Sequence, residues 1–311
     1  MKPHNDGPRR PLTRIGGIGL VNLATLTWAT NMALGRWLRN DVGPLTLAAA
    51  RYSVAALVLA VLLQRQPPNG RVGRGSRARW LGPDRWLLLG MALSGVVIFT
   101  PTLYLGLRLT TAVNATLING MGPLVTGVLA ALMIREPMSR RQVVGAVIGL
   151  AGVAVLIPGG FPSSGQAIRV NWGDLIVLAA VTLWGVYSVL GRRVMRQRSP
   201  LSATALSVFL GLPFLLIAAI WEIHTTPIDL DPIHILALVY IGIAPGVIGF
   251  LSWNAGVRRL GPSGAMVFYN TLPLYGALLG YLALGEPIGP NHLLGGALIV
   301  GGGLWAAECF T

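Results

Sequence analysis

Read as apolar and polar positions, the chain is a succession of long hydrophobic runs divided by short connections rich in arginine, proline and glycine. A run needs about 20 predominantly apolar residues to cross a hydrocarbon core about 30 Å thick. Ten runs are candidate spans: 15–37, 46–63, 86–107, 111–134, 142–157, 172–190, 201–223, 233–257, 263–284 and 292–307. The fifth and tenth are short for a crossing, and alone either reads as a re-entrant segment. They are short in matching places, which favours two helices of one repeated design. The predicted fold class is an all-α membrane protein with ten transmembrane helices.

The first run follows a basic start (Lys2, Arg9, Arg10, Arg14), the layout of a secretory leader. It is too long for a leader's apolar region, and nothing around Trp37 to Asp41 resembles a small-residue cleavage site, so it is read as a span. Composition agrees with the pattern. Hydrophobic residues make up 53% of the chain and charged residues 11%, against roughly 25% charged in an average soluble protein, and the mean hydropathy is +0.66. The single cysteine, Cys309, excludes a disulfide framework and a thiolate metal site.

A net charge of +14 would suit a nucleic-acid partner, but the placement of the arginines points elsewhere. With the amino terminus cytoplasmic, that side collects the four starting cations, Arg65, Arg71, Arg74, Arg77, Arg79, Arg85, Arg135, Arg140, Arg141, Arg192, Arg193, Arg196, Arg198, Arg258 and Arg259, nineteen of the 24 basic residues. Arg36, Arg39, Arg108 and Arg169 fall on the other side, and Arg51 lies inside the second span. This is the positive-inside pattern for ten spans with both termini in the cytoplasm, and no nucleic-acid partner is expected. The loop "RQPPNGRVGRGSRAR" reads first as an orientation determinant and second as a contact for anionic membrane lipid.

The chain also repeats itself. Laid without a gap on 256–302, residues 106–152 match at eleven of 47 positions, among them Gly106/Gly256, Pro123/Pro273, Glu136/Glu286, Pro137/Pro287, Gly145/Gly295 and Gly152/Gly302. Upstream the register shifts by six, and "WATNMALGR" at 28–36 resembles "WGVYSVLGR" at 184–192. The repeat unit is five spans. An odd number of crossings makes the second copy enter from the opposite side, so the halves are expected to be inverted about an axis in the membrane plane, as in many secondary transporters. The expected division is a cytoplasmic tail 1–14, a first repeat 15–158, an external linker 159–171, a second repeat 172–307 and a cytoplasmic tail 308–311.

The strings "GPLVTGVLAALMIREP" and "LPLYGALLGYLALGEP", each followed by a short glycine-bearing helix, resemble the two halves of EamA-type members of the drug/metabolite transporter superfamily. So do the tryptophans of spans one and six and "AAARYSVAALVL" in span two. The resemblance runs from about residue 15 to 307. It implies a ten-helix bacterial inner-membrane carrier, typically an exporter of amino acids or related metabolites, with spans one, three, four, six, eight and nine lining the path.

Polar and aromatic groups at mid-span pick out the same spans, because each costs free energy in hydrocarbon unless it meets a partner or water. The candidate substrate-binding residues are Trp28, Asn31, Arg51, Thr100, Tyr104, Asn114, Asn119, Trp184, Tyr187, Trp253, Asn254, Tyr269 and Asn270. For each, an interhelical hydrogen bond or an interfacial ring is the plainer role. Arg51 reads either as a side chain reaching the headgroups or as a partner for a substrate carboxylate. Pro123 and Pro273 are candidate kinks, and Glu136 and Glu286 candidate helix-end corners. The glycines of spans five and ten leave intramolecular packing and a homodimer contact both open.

The function expected is a secondary transporter exporting an amino acid or related amphipathic compound by alternating access. A lipid-carrier flippase, or a sugar-phosphate or nucleoside exchanger of the same architecture, is the alternative; phosphate would want several cations in the path. A membrane-embedded enzyme is the weakest reading. The four histidines are dispersed, no metal-ligand or nucleophile–base pattern occurs, and no cofactor is called for.

Overall fold

The computed structural model describes residues 11–65, 82–135, 138–156, 171–225, 228 and 230–307. The corner residues Glu136 and Pro137, the basic loop from 66 to 81, most of the linker 159–171 and the two ends of the chain lie outside the described residues. Within them the protein is helical, with no strand. In chain order the helices are α1 (Pro11–Trp37), α2 (Pro44–Gln64), α3 (Arg85–Met91), α4 (Phe99–Leu109), α5 (Ala112–Asn119), α6 (Gly122–Ile134) and α7 (Arg140–Leu156). They continue as α8 (Trp172–Val194), α9 (Pro200–Thr225), α10 (Pro232–Ile243), α11 (Gly249–Tyr269), α12 (Thr271–Leu284) and α13 (Pro290–Ala307).

Local chemistry explains the boundaries. Proline opens α2, α9, α10 and α13, where its missing N–H is one the first turn would leave unpaired anyway. Thr111 caps α5 by accepting from the Asn114 N–H, Asn171 caps α8 by accepting from Gly173, and Asp231 forms a capping box with His234 on α10. π-helical stretches, Ala92–Ile98 and Ala244–Ile248, join α3 to α4 and α10 to α11. Each lies at a proline, Pro101 just beyond the first and Pro245 within the second, and a widened turn accommodates the hydrogen bond that proline cannot donate. The residues matching the first stretch at the repeat spacing of 150 are 242–248, which contain the second.

The same spacing recurs at other irregular points. Helix α5 ends at Asn119 and α11 at Tyr269, and the following breaks precede Pro123 and Pro273 by a few residues. The α5–α6 bend is 41°. Helix α6 closes on Arg135 and α12 on Gly285, both in the left-handed region with φ of 56° and 65°. Glycine adopts that conformation freely, whereas arginine does so at a cost of about 1–2 kcal/mol.

Five helical runs are long and apolar enough to cross a membrane: Pro44–Gln64, Arg85–Leu109, Trp172–Val194, Pro200–Thr225 and Pro232–Gly256. The bent pair α5–α6 makes a sixth when taken as one span. The apolar pattern predicts ten, and the difference has a physical source. Helix α1 is interrupted by Asn22, Thr25, Thr27, Thr30 and Asn31, α7 has 17 residues, α12 has 14, and α13 is diluted by glycine. Helix α11 also does not run straight. The Trp253 and Tyr269 rings are 5.6 Å apart, although sixteen residues of straight helix would separate them by about 24 Å, so the chain doubles back between them.

The tightest packing joins the part before residue 157 to the part after 171: α1 lies against α11 and α12, α8 against α4 and α6, α2 against α9, α5 against α12, and α7 against α13. Small residues permit the closest approaches. A Cβ on Gly152 would stand 2.7 Å from the Gly295 carbonyl oxygen, and one on Gly302 would stand 2.6 Å from that of Gly145. Outward, α2, α6, α9, α10, α12 and α13 expose large apolar side chains such as Leu57, Leu132, Ile217, Leu236, Leu282 and Leu293, a surface suited to lipid rather than water. The protein is a multi-pass membrane protein.

Candidate functional site

Two tryptophans from matching places in the repeat, Trp28 on α1 and Trp184 on α8, face each other across the bundle through Phe250. Phe250 has its ring 5.9 Å from Trp28 and 5.6 Å from Trp184. Trp28 also meets Trp253 at 5.7 Å and Tyr269 at 6.1 Å, while Trp184 stacks on Tyr187 at 4.9 Å and leans on Phe99 at 5.2 Å. The Trp28 indole N–H donates to the Pro245 carbonyl at 3.3 Å, fixing the ring against the second π-helical stretch. Gly249 leaves room for this, since a Cβ there would come within 2.9 Å of the indole nitrogen.

This aromatic frame separates two cavities. The larger, about 300 Å³, extends from Trp28, Trp184, Trp253 and Tyr269 past Thr126 and Ser188 to Gly191, Arg192, Met195 and Thr204. It thus runs toward the arginine-rich end of the bundle, where α8 stops and α9 begins. The smaller, about 40 Å³, lies on the other side of the frame and is lined by Asn31, Arg51, Asn119, Phe99 and Leu103 among others. At its wall the Tyr104 hydroxyl donates to Asn31 Oδ1 (2.8 Å) and the Tyr269 hydroxyl to Asn119 Oδ1 (3.0 Å). Asn119 and Tyr269 are 150 residues apart, so matching positions of the two repeats bond directly to each other.

Beyond the small pocket the bundle is tied shut. Arg36 donates to the carbonyls of Leu107 and Arg108 at 3.0 Å each, answering the open end of α4, and stands 3.6 Å from Glu286. Glu286, just after the left-handed Gly285, accepts the Ala112 and Val113 N–H groups at 2.9 and 3.0 Å, so its charge rests on the positive end of α5. Glu222 does the same for α2, accepting from Leu45 at 3.2 Å and Thr46 at 2.7 Å. Asp174 accepts from the Thr110 hydroxyl and from Asn114 Nδ2. At the arginine-rich end, Arg198 grips Asp84 with two guanidinium nitrogens, and that bonded cation holds the Asp84 carboxyl below the usual carboxylate range.

Of the predicted residues, Trp28, Asn31, Arg51, Asn119, Trp184, Tyr187, Trp253, Asn254 and Tyr269 line one or both cavities. Tyr104 stands behind Asn31, and Thr100 shares a hydrogen bond with Tyr52 at 3.0 Å. Asn114 lies outside both cavities because Asp174 claims its amide at the closed end. Asn270 sits outside them too, close against Gly303 of α13. Pro123 lines the larger cavity one residue into α6, and Pro273 is buried on α12. Phe99, Phe250, Met91 and Thr204 also line the cavities. A phenylalanine in an apolar span carries no polarity signal, and only the structure places Phe99 and Phe250 beside the π-helical stretches. Among the described residues no group of three or more His, Cys, Asp and Glu could hold a metal ion.

Comparison with known proteins places this geometry in context. The EamA-like transporter family matches the chain twice, at residues 15–157 and 171–307. The uncharacterized transporter YyaM of Bacillus subtilis (strain 168) is 27% identical over 93% of this chain and 92% of its own. A "probable terminal-alkyne amino-acid exporter" of Streptantibioticus cattleyicolor is 28% identical over 90% of this chain and 89% of its own. A solved crystal structure, 25% identical, superposes with a TM-score of 0.64 over 95% of this chain and 98% of that one.

Proposed function

Because the chain belongs to the EamA-like transporter family, we propose that it is a secondary transporter exporting a small amphipathic metabolite, an amino acid or a related compound, across a bacterial inner membrane by alternating access. The observation that carries this reading is the pair of cavities that meet at the frame of the repeat-matched Trp28 and Trp184, their lining aromatic at the frame and polar at Asn31, Arg51 and Asn119. The pair has the mixed lining that suits a solute with an apolar body and a polar head.

Ten crossings in two inverted halves are supported by reciprocal contacts. A Cβ on Gly106 would meet Val177 and the Gly173 carbonyl, and one on Gly256 would meet Val21 and the Gly17 carbonyl. These are the same contact with the halves exchanged, as a two-fold relation requires. Arg135 closes α6 at the arginine-rich end and its match Gly285 closes α12 beside the Arg36 closure, so equivalent points lie at opposite ends and the axis is read as lying across the bundle. With the arginine-rich end cytoplasmic, the cavity faces the cytoplasm and the Arg36–Glu286 end closes the outside. Two halves of nearly equal energy can then exchange these roles.

An amino acid or a derivative of one is favoured by the relative named as an amino-acid exporter. A sugar-phosphate exchanger is disfavoured by a lining with two arginines, Arg51 and Arg192. The test is counterflow in proteoliposomes with labelled amino acids and nucleosides. Uptake of one class, stimulated by unlabelled solute inside and saturating with concentration, is expected; flux that rises without saturation would mean a channel instead.

A further inference from the structure

The small pocket fixes the ionic class of the solute, an inference that rests on the transporter reading above. Arg51 is 4% exposed. The ring of Tyr52 lies 5.3 Å from its guanidinium carbon, and its Nε has no hydrogen-bond partner. Among the described residues no carboxylate comes within ion-pair distance of it. The acids are committed elsewhere, at helix ends: Asp84 to Arg198, Asp174 to Thr110 and Asn114, Glu222 to α2, Glu286 to α5 and Arg36, and Asp41 and Asp231 beside His234. A buried guanidinium without a counter-charge is costly.

The neighbouring polar groups complete the pattern. Asn31 and Asn119 each spend the amide oxygen on a tyrosine hydroxyl. That hydrogen-bonding choice turns their Nδ2 groups into donors for whatever enters. The pocket therefore offers one cation and two neutral N–H₂ donors, and no carboxylate lines either cavity. An ammonium entering it would meet the like charge of Arg51 and no carboxylate, with only ring faces and the remaining lone pair of each asparagine oxygen to offset that.

We propose that the solute carries a net negative charge, on a carboxylate that docks between Arg51 and the amide nitrogens of Asn31 and Asn119, with its apolar portion along the Trp28–Phe250–Trp184 rings. Carboxylates lacking a free amine, N-acylated or deaminated, bind better than zwitterions, and amines bind worst. Such a monoanion leaves the cell down the inside-negative membrane potential, so export needs no coupling ion.

The experiment uses the wild-type protein in proteoliposomes with two labelled series of matched side chain: N-acetylphenylalanine, phenylalanine and phenethylamine; N-acetylleucine, leucine and isoamylamine. Counterflow of the N-acetyl compounds is expected to exceed that of the amines about ten- to hundred-fold, the scale of a charge-assisted hydrogen-bonded pair. With valinomycin and potassium about tenfold higher outside, the lumen-positive potential should concentrate the N-acetyl compounds inside about tenfold. Arg51→Lys keeps the preference and Arg51→Gln removes it. Should both variants misfold, quenching of wild-type tryptophan fluorescence in detergent by the same six compounds must follow the same order. Amines or zwitterions moved as well as the N-acetyl compounds, uptake indifferent to the potential, or no quenching by either N-acetyl compound overturns the proposal. Quenching without counterflow would instead remove the transporter reading and leave anion recognition standing.

Discussion

At the scale of single residues, the frame between the cavities depends on a few rings and the site's surroundings on a few strained or charged groups. Trp28→Ala or Trp184→Ala removes ring contacts without touching a helix end, so each variant should insert normally and transport about tenfold more slowly, as read by counterflow per unit of purified protein. Arg135 bears a left-handed backbone that its repeat mate fills with glycine. Arg135→Gly should therefore raise stability by up to about 1 kcal/mol, seen as a higher melting temperature in detergent. Asp84 carries a pH dependence of definite sign. Its folded-state carboxyl titrates below the unfolded value of about 3.9, so the Arg198 pair contributes its full stability above that pH and loses it as pH falls through the folded-state value. Asp84→Asn should melt lower than wild type at pH 7, and the gap should close progressively below a pH of about 4.

Which residues were legible follows from the same chemistry. Trp28, Asn31, Asn119, Trp184 and Tyr269 stood out because polar or amphipathic groups in a lipid-length run demand a reason, and the structure collects them at the cavities. Asn114 gave the same signal for a different reason, since its Nδ2 donates to Asp174 at the start of α5, away from both cavities. Phe99 and Phe250 gave none. That Arg51 has no carboxylate partner among the described residues was illegible as well, because it depends on where six described carboxylates from distant parts of the chain come to rest.

At the scale of elements, proline sets where helices break, and the breaks set where the cavity opens. Pro123 stands second in α6 after a 41° bend, a position where proline costs a helix little. Replacing it with alanine restores a backbone N–H and lets α5 and α6 continue as one helix. Pro123→Ala is expected to keep or raise the melting temperature while slowing counterflow several-fold; equal transport at equal stability would assign the bend to packing alone. The break itself was readable from the paired prolines. The paired π-helical stretches were not, because Pro101 and Pro245 do not align with each other and the widened turns lie at the repeat spacing rather than the prolines do. The helices long and apolar enough to cross singly number fewer than the ten expected spans for an element-level reason: α1, α7, α12 and α13 are too polar, too short or too rich in glycine to qualify singly, so their place in the bundle rests on packing against other helices.

At the scale of the whole molecule, each helix packs chiefly against the other half of the chain, so neither half has a closed core of its own and motion of one against the other must trade contacts at one end for contacts at the other. The closed end is tied by Arg36, Glu286, Asp174 and Glu222, and the other end by the Asp84–Arg198 pair. Alternating access requires these two ends to move in opposite senses. Double electron–electron resonance in nanodiscs tests this, with one spin-label pair at Arg135 and Arg196 on the arginine-rich end and another at Asn40 and Ile288 on the closed end. On adding a transported solute, the first distance should shorten in the same population in which the second lengthens. Distances that stay fixed, or that grow or shrink together, would contradict a carrier that exposes one site to each side in turn.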